Sequence, residues 1–121
     1  MTSKYLFDTY AIIEVLKGSS SYSLFVDADC IINNFIFAEL CYNLFLIKEP
    51  DADDYISKYS KFINSVNPEW IKEAMELRVE MKKRNVSITD CVSYIMAKKL
   101  DIKFLTGDPE FENLDNVEFV K

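Results

Sequence analysis

Four short apolar segments of this chain each carry a single acid: Tyr5-Leu6-Phe7-Asp8, Phe37-Ala38-Glu39-Leu40, Ile88-Thr89-Asp90-Cys91 and Phe104-Leu105-Thr106-Gly107-Asp108. An acid that only solvates a surface sits anywhere on a polar face. These four sit where strands end or helices begin, the places where an α/β sheet opens its crevice. The pattern predicts an α/β fold in which the four carboxylates converge, with oxygen donors suited to a hard metal ion.

The hydrophobic periodicity supports that frame. Lys4 to Asp8 reads as a short buried strand, and Tyr10 to Lys17 as a helix with Ala11, Ile12, Val15 and Leu16 on one face and Gly18 as its stop. Tyr22 to Ala28 is a short element of undecided type, and Cys30 to Asn33 reads as a second strand, with Asn33 or Asn34 able to cap the next helix. Phe35 to Lys48 is apolar nearly all round and too long for a strand. It is expected to be a buried helix that ends before Pro50. Asp51 to Asn64 and Pro68 to Asn85 show helical spacing and are expected to form an antiparallel helical hairpin. A helix from Thr89 to Leu100, a strand Lys103 to Thr106, a turn at Gly107-Asp108-Pro109 and a strand Val117 to Val120 complete the chain. Four short strands among helices indicate a largely parallel sheet. At 121 residues, half of them hydrophobic, residues 1–121 are expected to form one domain.

Composition removes many chemistries. The chain has no histidine, which excludes Ser-His and Cys-His nucleophile pairs and the commonest transition-metal ligand. The two glycines, Gly18 and Gly107, stand far apart in the chain, which excludes both a Walker-type phosphate loop and a G-x-G-x-x-G turn. Cys30, Cys41 and Cys91 are odd in number and widely spaced, so they read as reduced core thiols and not as a disulfide framework or zinc site. No apolar run reaches membrane-spanning length and no basic-then-apolar leader opens the chain, so a soluble, cytoplasmic protein is expected. A net charge of −6 argues against gripping nucleic acid by bulk attraction. Acids gathered on divalent cations would invert that logic locally, and Lys82-Lys83-Arg84, Lys98-Lys99 and Lys103 read either as a phosphate rim or as solvated helix ends beside favourable C-terminal dipoles.

Each acid has a structural alternative. Asp8 and Asp108 stand where helix caps or turns use an acid, and Ser87-Ile88-Thr89-Asp90 fits a capping box. Glu39 lies inside a run in which only Asn43 and Lys48 are otherwise strongly polar, and a buried carboxylate without a cation is costly. Clustering gives all four a common reason. Carboxylates within ~4 to 6 Å cannot all ionise cheaply without a cation between them. Oxygen-only ligands select Mg²⁺ or Mn²⁺, and two such ions support water attack at phosphorus without histidine.

Phe7-Asp8-Thr9, Glu39-Leu40, Asp90 leading a helix to Ala97, and Thr106-Gly107-Asp108-Pro109-Glu110-Phe111 together resemble the PIN-domain ribonucleases, most closely the small VapC-like toxins of toxin–antitoxin pairs. The resemblance spans almost the whole chain. It implies a three-layer α/β/α fold and a Mg²⁺- or Mn²⁺-dependent endoribonuclease that leaves 5′-phosphate and 3′-hydroxyl ends. It assigns Asp8, Glu39, Asp90 and Asp108 to the metal centre, Thr9 and Thr106 to hydrogen bonds that orient them, and an auxiliary acidic role to Glu110, where the family often has aspartate. It further implies a homodimer and a cognate antitoxin laid across the acidic groove. Three other readings compete. A PIN fold that binds RNA or protein without cutting shares every feature above. A receiver-type phosphorylation switch needs an acidic pair after the first strand, where this chain has only Asp8, and a haloacid-dehalogenase-like phosphatase needs D-x-D where it has Asp8-Thr9-Tyr10.

Overall fold

A computed structural model describes residues 3–121; Met1 and Thr2, part of the single-domain expectation, lie outside them. The first strand, β1 (Lys4–Phe7), is central and buries Leu6 and Phe7 completely or nearly so. It pairs in parallel with β2 (Asp29–Ile31) on one side and with β3 (Lys103–Thr106) on the other. β4 (Val117–Phe119) extends the sheet beyond β3, giving four parallel strands among the described residues, in the order β2-β1-β3-β4. The chain therefore leaves β1 toward β2 and returns on β1's other flank, so β1 and β3 flank the topological switch point. Ligands of open parallel sheets bind in the crevice outside the carboxyl ends at such a point.

Among the described residues, five α-helices accompany the sheet: α1 (Thr9–Leu16), α2 (Asn34–Leu46), α3 (Ala52–Ser60), α4 (Pro68–Glu80) and α5 (Ile88–Lys99). Asp8 caps α1, and Gly18 follows its end at a φ of 74°, a left-handed conformation that glycine adopts without strain. The undecided segment after it is a 3-10 turn, Ser20–Phe25, whose Tyr22 is buried. Of the two candidate caps for α2, Asn33 is the one used. Its Oδ1 accepts from the Ile36 amide at 2.9 Å, while its Nδ2 donates to Ser93 Oγ at 3.1 Å. Asn67 caps α4 and Pro68 opens it, a position where a missing amide hydrogen costs nothing. α3 packs on α2 and α4 runs along α5, so the α3–α4 excursion is seated mainly by its neighbours.

The expectation that the Phe35–Lys48 helix is buried all round is corrected. Ile36, Leu40 and Leu44, one helical stripe, are buried, but Tyr42, Phe45, Leu46 and Ile47 are each about 60% exposed (65, 59, 62 and 60%). α2 has neighbours on one side only, so the other apolar face looks outward. The element ends also contract. The helix expected to run to Asn64 stops at Ser60, because Ile63 leaves it to bridge Ile32 beside β2. α4 stops at Glu80, and the chain turns through residues 81–84 before α5. No helix among the described residues is long and apolar enough to cross a membrane.

Candidate active site

The carboxyl ends of β1 and β3 bring the predicted acids together. One pocket of about 380 Å³ is lined by Asp8, Thr9, Tyr10, Glu39, Ser87, Asp90, Gly107, Asp108 and Pro109. Asp8 arrives directly from β1, where its own amide donates to Leu105 O of β3 at 3.0 Å. It is 5% exposed. Its Oδ1 accepts from the Ala11 amide at 2.9 Å and its Oδ2 from Thr106 Oγ1 at 2.5 Å. The same Thr106 oxygen accepts from the Asp108 amide at 3.1 Å, so one buried hydroxyl joins the two acids that follow the central strands. Asp108 caps a 3-10 turn, Pro109–Phe111, by accepting from the Glu110 amide at 3.0 Å.

Glu39 reaches the pocket from the second turn of α2. Its Oε1 accepts from Thr9 Oγ1 at 2.8 Å, which ties α2 to the start of α1. The carboxylate is half-buried, as expected once the helix is seen to pack on one side only. Asp90 enters from the first turn of α5 and closes the capping box read in the sequence. Its Oδ2 accepts from the Ser87 amide at 3.1 Å, and its own amide donates to Ser87 Oγ at 3.0 Å. A cap uses part of a carboxylate's acceptor capacity and leaves lone pairs facing the pocket.

Burial pushes the Asp8 carboxyl up to about 7, against the lowering effect of the Thr106 and Ala11 hydrogen bonds and with help from the charges of Asp90 and Asp108. Asp90 moves in the same direction, again chiefly by burial, with Asp108 and Glu39 adding repulsion and the Ser87 bonds opposing it. A buried acid held near neutrality among other acids is a site short of positive charge. The donors that face the pocket are all oxygens, which suits Mg²⁺ or Mn²⁺ better than softer ions. Among the described residues, no three acidic or cysteine side chains are gathered tightly enough to hold an ion as they stand. The four acids thus share one pocket without converging on one point.

Glu110 does not line the pocket. Its carboxylate stands 4.0 Å from Arg84 Nε, and its backbone carbonyl accepts from Arg84 Nη1 at 2.9 Å. Most of the candidate basic rim also lies elsewhere. Lys98 and Lys99 sit at the end of α5 opposite Asp90, paired with Asp115 and Glu73, and Lys103 opens β3 at the edge of the sheet away from the pocket. Only the turn carrying Lys82-Lys83-Arg84 approaches this end, through Arg84 and Glu110. Tyr10, Gly107 and Pro109 were not singled out as pocket residues in the sequence. Their signal was adjacency to Asp8 and Asp108.

A short parallel sheet with acids at its switch point defines the broad class, an α/β protein with an acidic crevice. The chain belongs to the PIN domain family, whose family model matches residues 5–117. Its fold is shared by a chain of a toxin–antitoxin complex from Klebsiella pneumoniae (18% identity, 94% of this chain and 95% of that one, TM-score 0.77). VapC20 of Mycobacterium tuberculosis, described as a sarcin-ricin loop cleaving toxin, is 17% identical over 98% of this chain and 100% of its own, with a TM-score of 0.77. A chain of VapBC2 from Rickettsia felis, bound to a promoter DNA fragment, is 18% identical over 98% and 99%, with a TM-score of 0.71. No curated protein matches the chain in sequence.

Proposed function

We propose that this protein is a metal-dependent endoribonuclease acting as the toxin of a toxin–antitoxin pair in the cytoplasm. The observation that carries the reading is the single pocket lined by Asp8, Glu39, Asp90 and Asp108 at the switch point of a PIN fold. Those four residues would hold Mg²⁺ or Mn²⁺, directly or through water. Bound ions supply Lewis-acid activation of the attacking water and neutralise charge at the phosphate. The remaining work falls to the chain. Thr106 fixes Asp8 and Asp108 relative to each other, and Thr9 fixes Glu39. The Ser87 box sets the first turn of α5 and with it Asp90. Burial favours the protonated form of Asp8, and a cation at the site would favour its ionised form.

The same reading implies partners. The fold neighbours from K. pneumoniae and R. felis are toxin–antitoxin proteins, which supports a cognate antitoxin here. The outward apolar face of α2 supports a second copy of the chain as partner. A PIN fold that binds without cutting is the alternative, and one experiment separates the two. Purified protein is incubated with a mixed cellular RNA pool and Mg²⁺ or Mn²⁺, alongside EDTA and Asp8→Asn controls, and the cut ends are mapped. Discrete cuts bearing 5′-phosphates, lost in both controls, are expected. Absence of cleavage by folded, antitoxin-free protein selects the binding-only reading.

A further inference from the structure

Tyr10 is 43% exposed on the wall of the acidic pocket, while Tyr22, the ring it packs against, is fully buried. The two rings meet edge-on with centroids 6.2 Å apart, and Tyr22 is itself anchored, its hydroxyl donating to Val120 O at 2.6 Å. On another side the Tyr10 ring lies directly on the backbone of Gly107. A Cβ at that position would stand 2.3 Å from Tyr10 Cε1 and 2.6 Å from Val120 O. Tyr10 is therefore held by Tyr22 and by a glycine that makes room for it, and its remaining surface opens beside Asp8 and Asp108.

Charge makes that surface significant. The net charge is −6, and no lysine or arginine lines the pocket among the described residues. A polyanionic strand therefore gains little from side-chain cations at the site. Stacking of a base on an aromatic ring needs no charge and accepts any base. A ring already fixed by its neighbours also loses little conformational freedom on binding. We infer that Tyr10 is a stacking platform for a nucleobase of single-stranded RNA, next to the phosphodiester held at the four acids. This rests on the nuclease reading above and adds a contact that positions the strand.

The test compares wild type, Tyr10→Phe and Tyr10→Leu, each first shown to be folded by its thermal melt. Leu keeps an apolar contact with Tyr22 but has no aromatic face. Binding of a fluorescein-labelled, mixed-sequence single-stranded oligoribonucleotide is measured by anisotropy in Ca²⁺, together with oligomers made abasic at each position in turn. Affinity is expected to fall about tenfold for Leu and to stay close to wild type for Phe. One abasic position should weaken wild type to a similar degree and leave the Leu variant unchanged, and cleavage by Leu should show a raised KM with a nearly unaltered kcat. Equal affinity of Leu and wild type, or abasic losses that are the same in both, overturns the stacking role while the nuclease reading stands. If wild type neither binds nor cuts any RNA, the nuclease reading itself fails and the platform falls with it.

Discussion

Asp8 is under opposing demands. It must be buried to close β1 onto α1, yet burial among acids disfavours its charge. Its carboxyl titrates at about 7 in the folded chain, compared with 3.8 for an unhindered aspartate. The folded state therefore holds the proton more tightly than the unfolded one, and stability falls as pH rises from about 4 through about 7. That contribution is intact below the lower value and lost above the upper one, on the order of 4 kcal/mol. Asp90 acts in the same direction. In EDTA, the melting temperature of wild type is expected to drop across this window, and that of Asp8→Asn to drop less. Added Mg²⁺ should raise the wild-type melting temperature near pH 7.5 and leave Asp8→Asn nearly unmoved. Equal pH profiles for the two proteins in EDTA would remove burial of Asp8 as the cause.

At the scale of elements, caps do much of the positioning. Asn33 is fully buried, caps α2 and donates to Ser93 of α5, so it links the helix carrying Glu39 to the helix carrying Asp90. Asn33→Ala removes a cap worth about 1 kcal/mol and leaves the buried Ser93 hydroxyl without that partner, for about 1 kcal/mol more. Asn67 caps α4 in solvent, so Asn67→Ala should cost half as much or less. Urea titration of both variants measures the difference; equal losses would show that the link to α5 is immaterial. The strands and the starts of α4 and α5 were legible because local chemistry fixes them: Pro68 at a first turn and Ser87 with Asp90 in a box. Helix ends were less legible. Nothing in residues 61–64 marks a stop, and it is the long-range bridge of Ile63 to Ile32 that ends α3.

For the molecule as a whole, the outer face of α2 is the conspicuous surface. Phe45 and Leu46 stand about 60% exposed, and each such side chain gains about 1.5 to 3 kcal/mol when fully covered. Phe45→Glu with Leu46→Glu is expected to leave a folded protein and to convert the proposed dimer to monomer in sedimentation equilibrium. An unchanged association state would place the dimer contact elsewhere. By itself the sequence determined the order of strands and helices, the four acids that come to line one pocket, and the absence of histidine, because periodicity, caps and composition are properties of neighbouring residues. Which face of α2 stays open, that Glu110 turns to Arg84, that Lys98, Lys99 and Lys103 fall at the far end, and that Tyr10 stands over Gly107 were decided only in three dimensions. The physical reason is that each depends on which elements the parallel sheet order β2-β1-β3-β4 brings side by side, and residues far apart in the chain settle that by packing.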